Sequence, residues 1–326
     1  MKKVFVGISG GVDSTMAIKI LIEKGYAVTG VFMRLFSFRE EEKKAKEIAD
    51  FFKIPFLVFD FRKEFQEKII KEFIADFKKG ITPNPCVNCN QKIKFGLFLK
   101  EAKKRGADFI ATGHYALKRG EFIYKAKDSS KDQSYFLCNL SKEQIKFSLF
   151  PLGNYFKKEV KEVIKKEKII PQKESQEICF VQGEPMDYLK KFIKTKKGKI
   201  IDDKGVLLGE HDGAFFYTIG QRKGLDLPQG PFFVYKKDFK KNIVYVTKDK
   251  ELLLKEEVKF KKANFSIETD FPFKATAKIR YRGKEMPCIV YKNKAIFSLK
   301  QNAIASGQSI VFYKKNKLIG GGIIYE

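Results

Sequence analysis

The sequence predicts an α/β amino-terminal domain on a parallel, Rossmann-like sheet, then a small β-rich middle domain and a carboxyl-terminal antiparallel β-barrel. Three observations carry that expectation. Short apolar runs alternate with helical stretches through the amino-terminal part, and a glycine-rich loop directly follows the first of them. Beyond the basic stretch Lys194 to Lys199 the texture changes to short, glycine-punctuated strands without a long amphipathic helix. The expected domains are 1–195, 196–252 and 253–326.

In chain order, Val4 to Ile8, Ala27 to Met33, Pro55 to Phe59 and Asp108 to Thr112 read as buried strands. The first helix carries Met16, Ala17, Ile20 and Leu21 on one face and stops at Gly25, as a left-handed cap requires. Glu40 to Phe52, Lys63 to Phe77 and Gln91 to Lys104 supply further helices. Farther on, Lys274 to Arg282 alternates, with Ala275, Ala277, Ile279 and Tyr281 on one face and Lys278, Arg280 and Arg282 on the other. Pro287 to Leu299 and Ser309 to Ile319 each hold two apolar runs around a polar turn, the mark of hairpins.

Composition bounds the partners. With 66 Lys and Arg against 39 Asp and Glu, the formal net charge is +27, more than solubility requires. A polyanion is the indicated partner, nucleic acid ahead of a membrane surface. The chain enters a strand at once, and no apolar run is long enough to span a bilayer, so a cytoplasmic location without membrane contact is expected. Five cysteines are an odd number, which argues for reduced thiols rather than a disulfide framework.

Chemistry enters at Ser9-Gly10-Gly11-Val12-Asp13-Ser14, placed between strand and helix. Paired glycines let successive backbone N–H groups converge on an anion, and the helix that follows adds its positive end. Ser9 and Ser14 are phosphate donors, and Asp13 is placed to hold Mg2+. No lysine follows, so a Walker loop is excluded, and the glycine spacing also excludes a dinucleotide fingerprint. The pattern is similar to the pyrophosphatase loop of enzymes that cleave ATP between its α and β phosphates. Amidation, lysidine formation and thiolation all use that loop, so the acceptor has to be read elsewhere.

The cysteines narrow it. In Asn84-Pro85-Cys86-Val87-Asn88-Cys89-Asn90, Cys89 stands near a helix start, where the dipole favours a thiolate and hence a nucleophile. A lone Cys-x-x-Cys is compatible with redox, zinc or iron–sulfur chemistry. Cys179 lies in Ser175-Gln176-Glu177-Ile178-Cys179-Phe180, and spacing alone does not say whether it meets the first pair. Cys138 and Cys288, in apolar runs, are expected to pack as small hydrophobes.

Further segments complete a pattern: Ala111-Thr112-Gly113-His114-Tyr115, Lys131-Asp132-Gln133-Ser134-Tyr135-Phe136-Leu137, Tyr217-Thr218-Ile219-Gly220-Gln221-Arg222-Lys223-Gly224-Leu225 and Gly307-Gln308. With the loop and the cysteine segments, they make the chain resemble the bacterial tRNA-specific 2-thiouridylase family over nearly its full length. The resemblance implies ATP-dependent adenylation of the C2 oxygen of the wobble uridine in tRNAs for lysine, glutamate and glutamine. Sulfur then arrives from a Cys179 persulfide charged by a donor protein, and attack by Cys89 leaves a Cys89–Cys179 disulfide.

The resemblance places Gly7, Ile8, Ser9, Gly10, Gly11, Val12, Asp13, Ser14, Met33 and Gly113 around ATP, and Asn84, Pro85 and Cys86 against the flipped base. It places His114, Lys131, Asp132, Gln133, Arg280, Tyr281, Arg282 and Gln308 against tRNA. Read without the family, Met33 is a core residue, His114 a carbonyl donor, and Arg280 and Arg282 a solvated strand face. Many relatives carry aspartate at the position of Cys86. Cys86, Cys89 and Cys179 therefore offer iron–sulfur ligation as the alternative to a persulfide pair. The connection from Arg34 to Glu40 is shorter than usual in the family, and Ala305-Ser306 stands where a proline is expected. His211 takes no role, and a monomer is expected. The competing functions are amidation by an ATP pyrophosphatase and RNA binding by a relic loop.

Overall fold

A computed structural model describes residues 1–36, 39–167, 179–181, 185–268 and 270–326. It divides into two compact units. The first comprises Met1–Ile69, Pro85–Phe180 and Lys314–Ile319; the second, Ile70–Asn84, Val181–Tyr313 and Gly320–Glu326.

In the first unit β1 (Lys3–Gly7), β2 (Ala27–Arg34), β3 (Phe56–Asp60) and β4 (Phe109–Ala111) are the four expected strands, each within a residue or two of its sequence bounds. A hairpin of β5 (Leu117–Arg119) and β6 (Phe122–Tyr124) precedes the two-residue β7 (Ser148–Leu149). The sheet order β3-β2-β1-β4-β7 is parallel throughout, and its direction of winding reverses between β1 and β4. Ligands of open parallel sheets bind outside the strand carboxyl ends at such a reversal. Val4, Val6, Ala17, Ile18 and Leu21 are 2% exposed or less, and they seal the first helix, Val12–Glu23, onto the sheet. That helix ends at Gly25, whose φ of +75° is the left-handed cap its sequence requires.

The helix expected over Gln91 to Lys104 begins earlier and is not uniform. Pro85–Cys89 is α-helical, Asn90–Leu97 is π-helical, and Phe98–Lys104 returns to α. A side chain intrudes on the ladder here: Gln144 Nε2 donates to the Gln91 carbonyl at 2.7 Å. A Cβ on Gly96 would stand 2.8 Å from that carbonyl oxygen, so glycine leaves room for the wider turn.

The second unit carries a four-stranded sheet of order β10-β11-β8-β9, formed by β8 (Gly198–Asp202), β9 (Leu207–His211), β10 (Phe233–Asp238) and β11 (Ile243–Thr247). Six further strands follow, all but Lys314 and Lys317–Ile319 in this unit: β12 (Leu254–Phe265), β13 (Phe273–Lys278), β14 (Met286–Val290), β15 (Lys294–Asn302), β16 (Ser309–Lys314) and β17 (Lys317–Ile324). They run β12-β15-β14-β13-β16-β17 and close through β12 with β17, Phe260 opposite Ile324. The antiparallel barrel read from the two hairpins is therefore present. The alternating strand is shorter than expected. It stops at Lys278, and the Gly283 N–H closes a turn onto the Arg280 carbonyl at 3.0 Å, which takes Arg280, Tyr281 and Arg282 off the strand.

Candidate active site

The loop after β1 is tied together by its own hydroxyls. Ser14 Oγ donates to the Gly11 carbonyl at 3.0 Å and accepts from the Ser9 N–H at 3.3 Å, while Thr15 Oγ1 donates to the same carbonyl at 3.0 Å. Gly10 takes φ +79°, and Gly11, extended, caps the helix without a side chain. Ile8 still belongs to the sheet, its N–H donating to the Val31 carbonyl at 2.8 Å. Val12 opens the helix and packs beside a cluster of Met16, Ile20 and Tyr115.

Residues remote in sequence converge here. A Cβ on Gly113, just past the end of β4, would lie 2.8 Å from the Asp13 carbonyl carbon and 2.9 Å from the Ser14 nitrogen. A Cβ on Gly7 would lie 3.0 Å from Met33 Cε. At Gly113 backbone packs on backbone, a close approach that a missing side chain allows and that a phosphate-binding loop uses.

Asp13 is not free to coordinate a cation. Both its oxygens accept from Lys157 Nζ, at 2.7 and 2.8 Å, and Oδ1 also accepts from the Tyr115 hydroxyl at 2.9 Å. The residues present accommodate a nucleotide; as arranged, they do not offer Asp13 to Mg2+.

The second cluster is built on the mixed helix. Cys86 lies in its first turn half-buried, Cys89 is buried, and Cys179 is exposed. Cys179 is held through its neighbour, since the Phe180 ring meets Phe65 edge-on at 5.6 Å. Ser175 to Ile178 of that motif, and Ser37 and Phe38 of the connection after Arg34, lie outside the described residues.

The expected lowering of the Cys89 thiol is not found. Burial pushes it up to about 12, and the nearby Cys179 and Cys86 sulfurs add to the rise while Lys94 opposes it. A full helical turn of peptide stands between Cys89 and the helix start, too far for the dipole to prevail over desolvation. The Cys179 thiol is raised as well, because protein crowds its sulfur although the residue keeps contact with solvent. Cys86, Cys89 and Cys179 thus lie within electrostatic reach of one another and of Lys94. Among the described residues no three Cys, His, Asp or Glu side chains stand close enough together to hold a metal ion, so the iron–sulfur alternative gains no support. Cys138 and Cys288 are buried, as expected of small hydrophobes.

Comparison with known proteins bears on this arrangement of nucleotide cradle and thiols. Residues 2–183 match the family model for the tRNA methyl transferase HUP domain, 186–248 the tRNA methyl transferase PRC-barrel domain, and 252–324 the aminomethyltransferase beta-barrel domain. The tRNA-specific 2-thiouridylase MnmA of Sulfurimonas denitrificans is 42% identical over 100% of this chain and 99% of its own. The chain belongs to the tRNA-specific 2-thiouridylase family. MnmA of Syntrophomonas wolfei is 40% identical over 99% of this chain and 100% of its own, and MnmA 1 of Clostridium tetani is 42% identical over 99% and 96%.

For a 2-thiouridylase family member, several residues expected to meet tRNA are engaged inside the protein. His114 is 9% exposed, and its Nδ1 shares a hydrogen with Thr112 Oγ1 at 2.8 Å. Burial, helped by Lys94, lowers it to about 3, so it brings no positive charge to a phosphate. Asp132, 5% exposed, accepts from the Ala126 and Ser134 N–H groups and the Ser134 hydroxyl, which makes it the organiser of its own loop. Gln133 Oε1 accepts from the Tyr115 N–H at 2.9 Å, while Lys131 stays half-buried.

In the second unit Gln308 Nε2 donates to the Thr82 carbonyl at 2.9 Å, and the Thr82 N–H donates to the Ser306 carbonyl at 2.9 Å. Gln308 therefore clasps the segment that ends at Asn84 instead of standing free. Arg280 and Arg282 are exposed and Tyr281 is half-buried. Pro85 and Cys86 begin the mixed helix of the first unit, whereas Asn84 closes its segment of the second. His211, unassigned from sequence, is 3% exposed and accepts from the Gly213 N–H through Nδ1 at 2.9 Å.

Sequence reasoning missed Lys157 and Lys94. Lys157 is 144 residues from Asp13 in a helix of ordinary charged texture, so nothing local marks it. Lys94 is five residues past Cys89, a spacing that joins a face only where the helix widens.

Proposed function

We propose that this chain is a tRNA-uridine 2-sulfurtransferase, replacing the C2 oxygen of the wobble uridine by sulfur in tRNAs for lysine, glutamate and glutamine. What carries the reading is that the nucleotide loop and the three cysteines lie in one compact unit. Gly113 packs on the Asp13–Ser14 backbone, its neighbour His114 feels Lys94, and Lys94 feels Cys86, Cys89 and Cys179. A nucleotide cradle and a thiol pair thus share the first unit, while amidation leaves the thiols without work.

In this reading the backbone of Gly7, Ile8, Ser9, Gly10, Gly11, Val12 and Asp13, with the Ser9 and Ser14 hydroxyls, binds the phosphates of ATP, and Met33 and Gly113 border it. Asp13 supports the departing pyrophosphate by fixing Lys157 beside the loop. ATP supplies the adenylyl group that turns the C2 oxygen into part of a good leaving group. Asn84, Pro85 and Cys86 face the base, which has to leave its stack for C2 to reach the α-phosphate.

A persulfide-bearing donor protein charges Cys179. The Cys89 thiolate attacks the inner sulfur of that persulfide, forming the Cys89–Cys179 bond and breaking the sulfur–sulfur bond beyond it. Two cysteine sulfurs are oxidised and the outer sulfur is reduced to hydrosulfide, which adds to C2 and expels AMP. An external thiol then reduces the disulfide. The enzyme works as a cytoplasmic monomer in three parts, 1–195, 196–252 and 253–326. Lys131, Arg280 and Arg282 bear on tRNA. Among the described residues no helix is long and apolar enough to cross a membrane.

The test is incubation with unmodified tRNA, ATP and a persulfide-charged sulfurtransferase, read by nucleoside mass spectrometry. One sulfur-for-oxygen exchange per tRNA, with AMP and pyrophosphate released, supports the reading. Pyrophosphate release coupled to amide formation on a small acceptor, with tRNA unchanged, contradicts it.

A further inference from the structure

The raised Cys89 thiol leaves the sulfur-transfer step short of an anion. A sulfur that is protonated and buried is a poor nucleophile, and attack needs it as thiolate. Helix geometry brings one cation to it. Cys89 caps the π-helical run Asn90–Leu97, and Lys94 follows five residues later, one hydrogen-bonded π turn on. In a regular α-helix that spacing would rotate the two side chains apart by roughly 140°. The wider turn, where Gly96 and the Gln144 side chain meet the Gln91 carbonyl, therefore also brings Lys94 towards the face that carries Cys89.

Lys94 is half-buried, and among the described residues no carboxylate pairs with it. Burial works against its charge, but the Cys89, Cys179 and Cys86 sulfurs outweigh that cost and raise its protonation. Among the described residues, the other titratable group that bears on it is His114, which stays neutral.

We propose that Lys94 is a positioning residue for sulfur transfer, its ammonium offsetting part of the burial that opposes the Cys89 and Cys179 thiolates, so that Cys89, as thiolate, attacks the uncharged inner sulfur of the persulfide on Cys179. This rests on the thiouridylase reading and adds to it the group that makes a buried thiol reactive. The outer sulfur of that persulfide keeps its proton during the attack, so it departs as hydrosulfide, and the same ammonium receives the charge that develops on it. When hydrosulfide leaves, the charge that Lys94 balanced leaves with it.

The experiment uses full-length Lys94→Met, Lys94→Gln and Lys94→Arg. Cys179 is the reporter because it is exposed, and its alkylation by iodoacetamide is followed against pH by peptide mass spectrometry. Lys94→Met and Lys94→Gln should move the alkylation profile upward by about one pH unit, which slows labelling about tenfold at pH 8, and Lys94→Arg should restore it. Single-turnover thiolation from persulfide-charged protein should slow in parallel, with tRNA-dependent pyrophosphate release unchanged. Should Lys94→Met not fold, Lys94→Gln gives the same readout. An unmoved alkylation profile in a folded, charge-removing variant overturns the proposal while the wild type still thiolates. If the wild type does not thiolate tRNA at all, the underlying function has failed instead.

Discussion

Lys157 Nζ binds both carboxylate oxygens of Asp13, at 2.7 and 2.8 Å, so the single acidic side chain of the nucleotide loop is already neutralised by a distant helix. The Lys157 side chain is 10% exposed and that of Asp13 35%, which places the pair between a buried and a surface salt bridge. Removing one partner leaves a charge half out of water. Lys157→Met should cost about 2 kcal/mol of stability, between the figures for exposed and fully buried pairs. Adding Asp13→Asn should recover part of that loss. Urea unfolding of both single variants and the double variant measures the coupling, and simple additivity would show that the pair does not act as one.

The two glycines of the cradle should differ in their tolerance of alanine. At Gly113 the new methyl meets backbone atoms of Asp13 and Ser14 that cannot give way. At Gly7 it meets the mobile end of Met33, at 3.0 Å. Gly113→Ala should raise KM for ATP by roughly tenfold or more, as a small misplacement of a binding backbone does. Gly7→Ala should stay within about threefold, since a flexible methionine repacks easily. Pyrophosphate release against ATP concentration separates them, and equal effects would remove Gly113 from the nucleotide site.

Acid should weaken the fold through His114. Its folded value of about 3 lies below the ordinary 6.5, so between those pH values the unfolded chain takes up a proton that the folded chain refuses. Stability contributed above pH 6.5 is therefore lost as pH falls towards 3, at up to about 1.4 kcal/mol per pH unit for one proton. His114→Gln keeps a hydrogen-bonding head without that titration. Urea midpoints between pH 7 and 5 should fall more steeply for the wild type than for the variant, and parallel slopes would show that His114 is accessible to protons.

The barrel residues should separate by their dependence on salt. Arg280 is exposed in the turn after β13, whereas Gln308 is committed to the Thr82 carbonyl. Arg280→Ala should reduce the slope of log affinity for tRNA against log salt by about one, as each lost phosphate contact does. Gln308→Ala should leave the slope unchanged and instead loosen the segment before Asn84, read as faster amide exchange at Thr82. An unchanged slope for Arg280→Ala would take this turn out of the tRNA contact.

Much of this was legible in the residues. The strands β1 to β4 are apolar runs bounded by glycine and helix starts, so local pattern and tertiary role agree. The glycine loop could be placed because strand, loop and helix adjoin in sequence. Gly113 and Met33 reached the loop through the family resemblance, since only the parallel sheet brings their strand ends together.

What stayed hidden depends on burial and on partners far along the chain. The resemblance makes His114 a contact residue, and only its 9% exposure reveals that it is held neutral. Asp132 and Gln308 look like surface polar groups until their backbone partners are seen. The π-helical turn has no periodic signature, because one glutamine from another helix and one glycine create it. A helix-terminus argument for Cys89 fails for the same reason: the dipole is visible in sequence, and the desolvation that overrides it is not.

The central claim is that Cys179 carries the sulfur and Cys89 releases it. The most direct measurement charges the wild type, Cys89→Ser and Cys179→Ser with a persulfide donor, adds ATP and tRNA, and follows peptide and nucleoside masses together. Cys89→Ser should hold a persulfide on Cys179 without 2-thiouridine, the wild type should give a Cys89–Cys179 disulfide with 2-thiouridine, and Cys179→Ser should give neither. Full thiolation by Cys179→Ser would contradict it.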